Sequence, residues 1–208
     1  MHVDSSHSGA WLTPAWPVVA LITAGVLLGA LLCGCSDGLA AARSLEEQGD
    51  LMGAVQAYDL ILEKNPDNIG ALSGLAVALL LMQEYDRALP VQERLVALDQ
   101  EDVQMRVELG FNYLNHQKRA EDAVRVLGEA TTLDPTAQHM TFLAQAQVAS
   151  GDTRSAEATL RHAVDVDPGY GRSYSMLSGL LVDAGRVQDA SAVLLLAEAR
   201  GLQIEGAR

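Results

Sequence analysis

Sulfur chemistry is nearly missing from this chain: its two cysteines, Cys33 and Cys35, lie within three residues of each other and none follows. A disulfide framework and a cysteine-based zinc site are thereby excluded. Rings are scarce as well, with aromatic residues making up 4% of 208 positions. So few of them argue against a sandwich or barrel, whereas the abundant Ala and Leu suit helices that approach closely. No Lys or Arg occurs before Arg43, and the 14 basic residues face 27 acidic ones for a net charge of −13. Without a broad basic surface, a nucleic-acid partner is not expected.

Motifs that carry chemistry are missing too. There is no glycine-rich phosphate loop after a strand, no nucleophile elbow and no His-Glu-x-x-His. Beyond the N-terminal segment the histidines are His116, His139 and His162, and neither His139 nor His162 has a carboxylate beside it at metal-ligand spacing. They read as solvated or half-buried side chains. Glu46-Glu47 and the Asp165/Asp167 pair read as a solvated helix face and a turn. An enzyme is not expected, nor a metal or cofactor.

What is present begins with an apolar segment. Residues 5–36 contain no Asp, Glu, Lys or Arg, and residues 18–32 form a run, VVALITAGVLLGALL. Fifteen residues match the apolar region of a signal peptide and fall short of a comfortable membrane span. The following Leu32-Cys33-Gly34-Cys35 resembles the lipobox of bacterial lipoproteins, with Cys35 in the place of the acylated mature N-terminus. The segment preceding the run carries no Lys or Arg, unlike most such signals, so an uncleaved anchor stands beside the lipoprotein reading. Either reading makes residues 1–35 a signal peptide or membrane anchor and tethers the remainder outside the cytoplasm, in the cell envelope. Acylation would anchor it stably, at about 0.8 kcal/mol per buried methylene.

From residue 36 onward one phrase recurs. GDTRSAEATLRHAVDVDP, starting at Gly151, sets Ala156, Leu160 and Ala163 on one helix face before Pro168 ends the helix. Ala123/Leu127/Ala130 and Ala190/Leu194/Ala197 repeat that second-helix pattern. Leu109-Gly110-Phe111-Asn112-Tyr113 gives the clearest first-helix pattern, and its frame recurs at Leu75, Leu143 and Leu177. The period is about 34 residues, and the chain resembles the tetratricopeptide repeat family. Five units are expected at 35–68, 69–102, 103–136, 137–170 and 171–204, followed by a short tail at 205–208. The resemblance implies an all-α solenoid of helix-turn-helix units in a right-handed superhelix, stabilised by stacking. Three departures stand out: Gln100 replaces the closing proline of the second unit, Pro90 should loosen the start of its second helix, and the third unit has one extra residue around Lys118-Arg119.

The resemblance also implies a concave groove lined by first helices, which takes a protein or peptide partner. Its expected lining is Val77, Leu80 and Leu81 from the second unit and Val107, Phe111, Leu114 and Asn115 from the third. Arg43, Glu46 and Glu47 come from the first, Thr141, Gln145 and Val148 from the fourth, and Arg172, Ser175 and Asp183 from the fifth. The middle is apolar and the ends polar, a distribution that marks contact sites. The family's carboxylate clamp of Lys and Asn is not found, since Leu39, Gly74, Gln104 and Glu108 take those places. The last helix is expected to be apolar around more than half its circumference at Val193-Leu194-Leu195-Leu196, which suggests a homo-oligomer through that end. A signal of lipoprotein type followed by such repeats is similar in architecture to the tetratricopeptide lipoproteins of Tad/Flp pilus assembly and of secretion. The expected function is a non-enzymatic scaffold, with a self-associating structural subunit as the alternative.

Overall fold

The computed structural model describes residues 35–204, and among these it contains helices and turns but no strand. Ten helices follow one another as five antiparallel pairs. The first pair is α1 (Cys35–Glu47) and α2 (Leu51–Lys64); the second is α3 (Ile69–Leu81) and α4 (Tyr85–Leu98). The third is α5 (Val103–Asn112), continued by a π-helical turn at Tyr113–Gln117, and α6 (Ala120–Leu133). Then come α7 (Ala137–Ala149) with α8 (Thr153–Val166) and α9 (Gly171–Asp183) with α10 (Val187–Ala199). Each helix packs on its sequence neighbours, which is the layout of an α-solenoid. The expectations for residues 1–34 and for the tail at 205–208 lie outside the described residues.

The helix ends explain why the chain breaks where it does. Asp50, Asn68, Asp102, Thr136 and Asp152 each accept a hydrogen bond from the backbone N–H three residues on, at 2.9–3.3 Å. Each such bond satisfies one of the donors that a helix start leaves free. Glu84, Arg119 and Arg186 make no side-chain cap. Their helices instead carry ion pairs across the first turn: Glu84–Arg87 at 2.6 Å, Arg119–Asp122 at 2.7 Å and Arg186–Asp189 at 2.6 Å.

Between the two helices of each pair one residue adopts a left-handed conformation. It is glycine in three units (Gly49, Gly151 and Gly185), whereas Gln83 and Lys118 take it in the second and third, at φ of +61° and +52°. The start-to-start spacing of the paired helices is 16 residues, as from 69 to 85 and 137 to 153, but 17 from 103 to 120. The extra residue expected in the turn is absorbed by the π-helical turn instead, because one wider ring accommodates it without separating the helices. Pro90 also behaves differently from expectation. The helix keeps its first turn, with the N–H groups of Arg87 and Ala88 both bonded to Glu84 O at 3.0 Å, and Pro90 itself is exposed. Pro90 lacks the N–H that would bond the carbonyl four residues back, yet the helix runs on through it to Leu98.

Small side chains permit the close approach of helices. Ala54, Ala88, Ala123, Ala156 and Ala190 are all buried. Gly110 lies against Leu127 of its own pair, and a Cβ there would stand 2.6 Å from Leu127 Cγ. Gly74 lies against the Tyr58 ring of the preceding unit, where a Cβ would overlap the ring. Apolar clusters then run the length of the solenoid: one joins α1–α4, a second joins α4–α7, and a third joins α7–α10. At the C-terminal end Leu202 and Ile204 fold back onto Val164, Tyr174 and Ala197. Residues 201–204 therefore cap part of the last layer.

Candidate binding groove

The first helices α1, α3, α7 and α9 carry positions 46, 80, 148 and 182, and the π-helical turn that continues α5 carries position 114, so that the five are spaced by one repeat length. Helical periodicity puts position 77 on the same face as 80 and 81, and 111 on the same face as 114 and 115. Val77 is 45% exposed and Leu81 61% exposed, so the second unit offers two open aliphatic side chains. Leu80 is half-buried against the cluster beneath it. Phe111 and Leu114 are half-buried on the core of the third unit, and Asn115 is exposed.

Val107 departs from the expected lining. It is buried with Leu109, Leu127 and Phe142, and belongs to the groove's foundation rather than its surface. Thr141 is buried too, donating to Ala137 O at 2.7 Å and sharing a hydrogen bond with Ser173 Oγ at 3.0 Å. In both cases the side chain faces the neighbouring first helix, a direction that repeat position alone does not distinguish from the groove.

Further along, Gln145 is half-buried and Val148 is exposed. Val182, 50% exposed, extends the aliphatic series into the fifth unit. Sequence reading chose Asp183 there, yet the spacing of one repeat length from Leu80, Leu114 and Val148 would have identified Val182. Arg172, Ser175 and Asp183 are exposed around it. The guanidinium of Arg172 stands 5.8 Å from the centre of the Phe142 ring.

The N-terminal end of the series opens into a cleft of about 320 Å³ between α1 and α3. Arg43, Glu46, Glu47, Ser73 and Val77 line it, with the bare backbones of Gly70 and Gly74. Tyr58 reaches in from α2, and its hydroxyl donates to Glu46 at 2.8 Å. Burial, and then the hydrogen bond and charge of Glu46, push the Tyr58 hydroxyl up to about 12. It stays a neutral donor at ordinary pH, which fixes the Glu46 carboxylate toward the cleft wall.

The described residues contain no group of three His, Cys, Asp or Glu side chains able to hold a metal. His139 is tied to Asp134 O at 2.9 Å as part of the α6–α7 turn. His116 stacks on Tyr85 with ring centres 3.5 Å apart. No described helix is long and apolar enough to cross a membrane. Cys35, the expected acylation site, is the first residue of α1.

A family model described as tetratricopeptide repeat matches residues 45–106 and 114–172. No curated protein matches the chain. Solved structures do. The crystal structure of MamA protein superimposes with a TM-score of 0.67 at 20% identity, covering 78% of this chain and 89% of that one. MamA 41-end from Desulfovibrio magneticus RS-1 gives 0.65 at 17% identity, over 79% and 93% of the two chains. YrrB, described as a tetratricopeptide protein with an unusual peptide-binding site, gives 0.65 at 17%, over 79% and 84%. At these identities the likeness is one of fold.

Proposed function

The chain belongs to the tetratricopeptide repeat family, and from that premise we propose that it is a non-enzymatic scaffold, tethered to a membrane of the bacterial cell envelope, that holds a segment of a partner protein. One observation carries the reading: Val77 and Leu81 on α3, Val148 on α7 and Val182 on α9 are large aliphatic side chains left open on first helices. Exposed apolar groups in such a series favour association, each offering about 1.5–3 kcal/mol when fully covered, before the cost of bringing two molecules together. YrrB, of the same fold, is described as having a peptide-binding site, which is consistent with this use of the architecture.

The tether rests on the N-terminal sequence: the apolar run at 18–32 and Cys35 support a lipid anchor or an anchor helix. Service in pilus assembly or secretion rests on architecture alone, a signal of this type followed by repeats. Photo-crosslinkers at positions 81 and 182 should capture a partner in the envelope fraction, whereas one at Leu60, exposed on a second helix, should not. Equal capture from all three positions removes the groove. Cys35→Ala should move the protein from the membrane fraction to the soluble one if Cys35 is acylated.

A second reading has its own support. Leu195 and Leu196 on α10 are 64% and 44% exposed. The equivalent places in earlier units hold Asp59-Leu60, Glu93-Arg94, Gly128-Glu129 and Arg161-His162. Such a departure favours self-association through the last helix. Light scattering that reports a monomer at high protein concentration would remove it.

A further inference from the structure

Two glycines open the groove between the first and second units. Position 70 is glycine in α3, whereas the same place holds Gln104, Gln138 and Arg172 in α5, α7 and α9. Position 74 is glycine as well, against Glu108, Phe142 and Met176. The Tyr58 ring lies so close to Gly74 that a Cβ there would overlap it, so no larger residue fits. Bare backbone is left to line the cleft of about 320 Å³, and both glycines are half-buried rather than covered. Val77 lines this cleft and also begins the aliphatic series, so the two are continuous.

The walls carry opposite charges in unequal number, Glu46 and Glu47 against Arg43. Arg43 and Glu47 are exposed, and Glu46 is half-buried. Tyr58 is fully buried and acts only from beneath, its hydroxyl donating to Glu46 Oε2 at 2.8 Å. One carboxylate is thereby held in place before any ligand arrives. Glu46 Oε1 and both oxygens of Glu47 are left to accept, and among the described residues neither glutamate is ion-paired. The cleft thus joins surplus acceptors and a net negative charge to an aliphatic surface.

We propose, on the reading that the groove holds a partner segment, that this cleft takes an arginine side chain of that segment. The groove then selects a partner in which arginine flanks aliphatic residues. A guanidinium supplies the donors that two neighbouring carboxylates lack, in a planar fork suited to them. Lysine, a single point charge without the fork, matches the pair less well. The methylene stem of the arginine lies along Val77 and the bare glycines, as long cationic side chains do on apolar surface. Arg43 opposes the incoming cation, and its exposure leaves it free to turn toward solvent. Packed helices lie about 10 Å apart and an extended chain advances about 3.3 Å per residue, so arginine and the first aliphatic residue belong about three positions apart.

The test adds acetyl-Arg-Ala-Ala-Leu-Ala-Ala-Leu-amide, or the same residues in reverse order, to the full chain in mild detergent and follows amide chemical shifts. Control peptides carry citrulline, which keeps the shape of arginine and removes its charge. At least one arginine peptide should bind saturably, shift residues 47, 70 and 77, and bind several-fold more tightly than its citrulline form. Glu47→Gln should reduce that preference to little or nothing. So should Gly70→Gln, which gives α3 the residue that α5 and α7 carry. Arg43→Gln should raise the preference several-fold, a gain that a damaged fold cannot produce. Equal binding of arginine and citrulline peptides overturns the proposal and leaves the groove standing. A preference that survives Glu47→Gln or Gly70→Gln, no gain in Arg43→Gln, or acetyl-arginine amide binding as tightly as the peptide also overturns it. If no peptide binds, the groove and the proposal fall together.

Discussion

The chain's two phenylalanines meet: Phe111 of α5 and Phe142 of α7 sit edge to face with ring centres 4.8 Å apart. The contact crosses the boundary between the third and fourth units, beneath the aliphatic series of the groove. Phe111 is thus half groove wall and half mortar between layers, whereas Val77 and Leu81 only face outward.

That division separates binding from stability. Phe111→Ala should cost about 2–4 kcal/mol, less than a fully buried ring but including the aromatic pair. Val77→Glu and Leu81→Glu should stay within about 0.5 kcal/mol of wild type because nothing is packed against them from outside. Urea denaturation reads both effects. If Val77→Glu destabilises as much as Phe111→Ala, its side chain is covered and the groove is misplaced.

The close contact at Gly110 makes a sharper test of packing. With a Cβ 2.6 Å from Leu127 Cγ, Gly110→Ala forces α5 and α6 apart despite alanine's better helix propensity. A net loss of about 1–3 kcal/mol is expected from overpacking. Leu109→Ala, one residue earlier and 2% exposed, should lose about 2–5 kcal/mol from the opposite fault, a cavity. A rise in melting temperature for Gly110→Ala would mean that the two helices are not held at this distance.

Gln83 offers a gain rather than a loss. Its left-handed backbone is a conformation that glycine takes without a Cβ penalty, and three other units do use glycine there. Gln83→Gly should stabilise the protein by about 0.5–1 kcal/mol, since relief of that penalty exceeds glycine's added freedom in the unfolded chain. Thermal melts would show it. The same change at Asn115, three residues before the left-handed Lys118, should not help.

Alkaline pH should reveal the buried hydroxyls. Tyr58 ionises at about 12 in the folded chain against an ordinary value of 10.0, because burial and Glu46 oppose the phenolate. Tyr113 is raised for the same reasons, burial first and then its 2.6 Å hydrogen bond to Glu93. A raised folded value means that this stability is complete below pH 10.0 and is lost as the pH climbs toward about 12. Circular dichroism against pH should therefore fall in that window, and Tyr58→Phe should fall less steeply while starting from a lower stability at neutral pH. A loss of helix that precedes tyrosinate absorbance would refute the coupling.

Several features were legible because they repeat. Ala156, Leu160 and Ala163 gave the face of α8, and the same face was then readable in α6 and α10. The closing prolines marked helix ends. Local physics dictates these features, since a helix start needs an acceptor and a helix stop needs a residue that cannot continue. Val107 and Thr141 were not legible. They sit one helical turn from the candidate groove residues, and the rotation of the helix decides whether a side chain meets solvent or the next helix.

By itself the sequence determined the solenoid, its succession of helix pairs, the sites of its small residues and its acidic net charge. It did so because a repeated local pattern has one consistent solution when every copy must bury the same face. Only the tertiary structure decided how the odd copies depart from that solution. It placed the third unit's extra residue in a π-helical turn rather than a loop, and it set Arg106 where other units keep an aliphatic or aromatic side chain. It also left Val182 open while closing over Val107. Those outcomes depend on which neighbour stands opposite each residue, and stacking fixes that relation between units far apart in sequence.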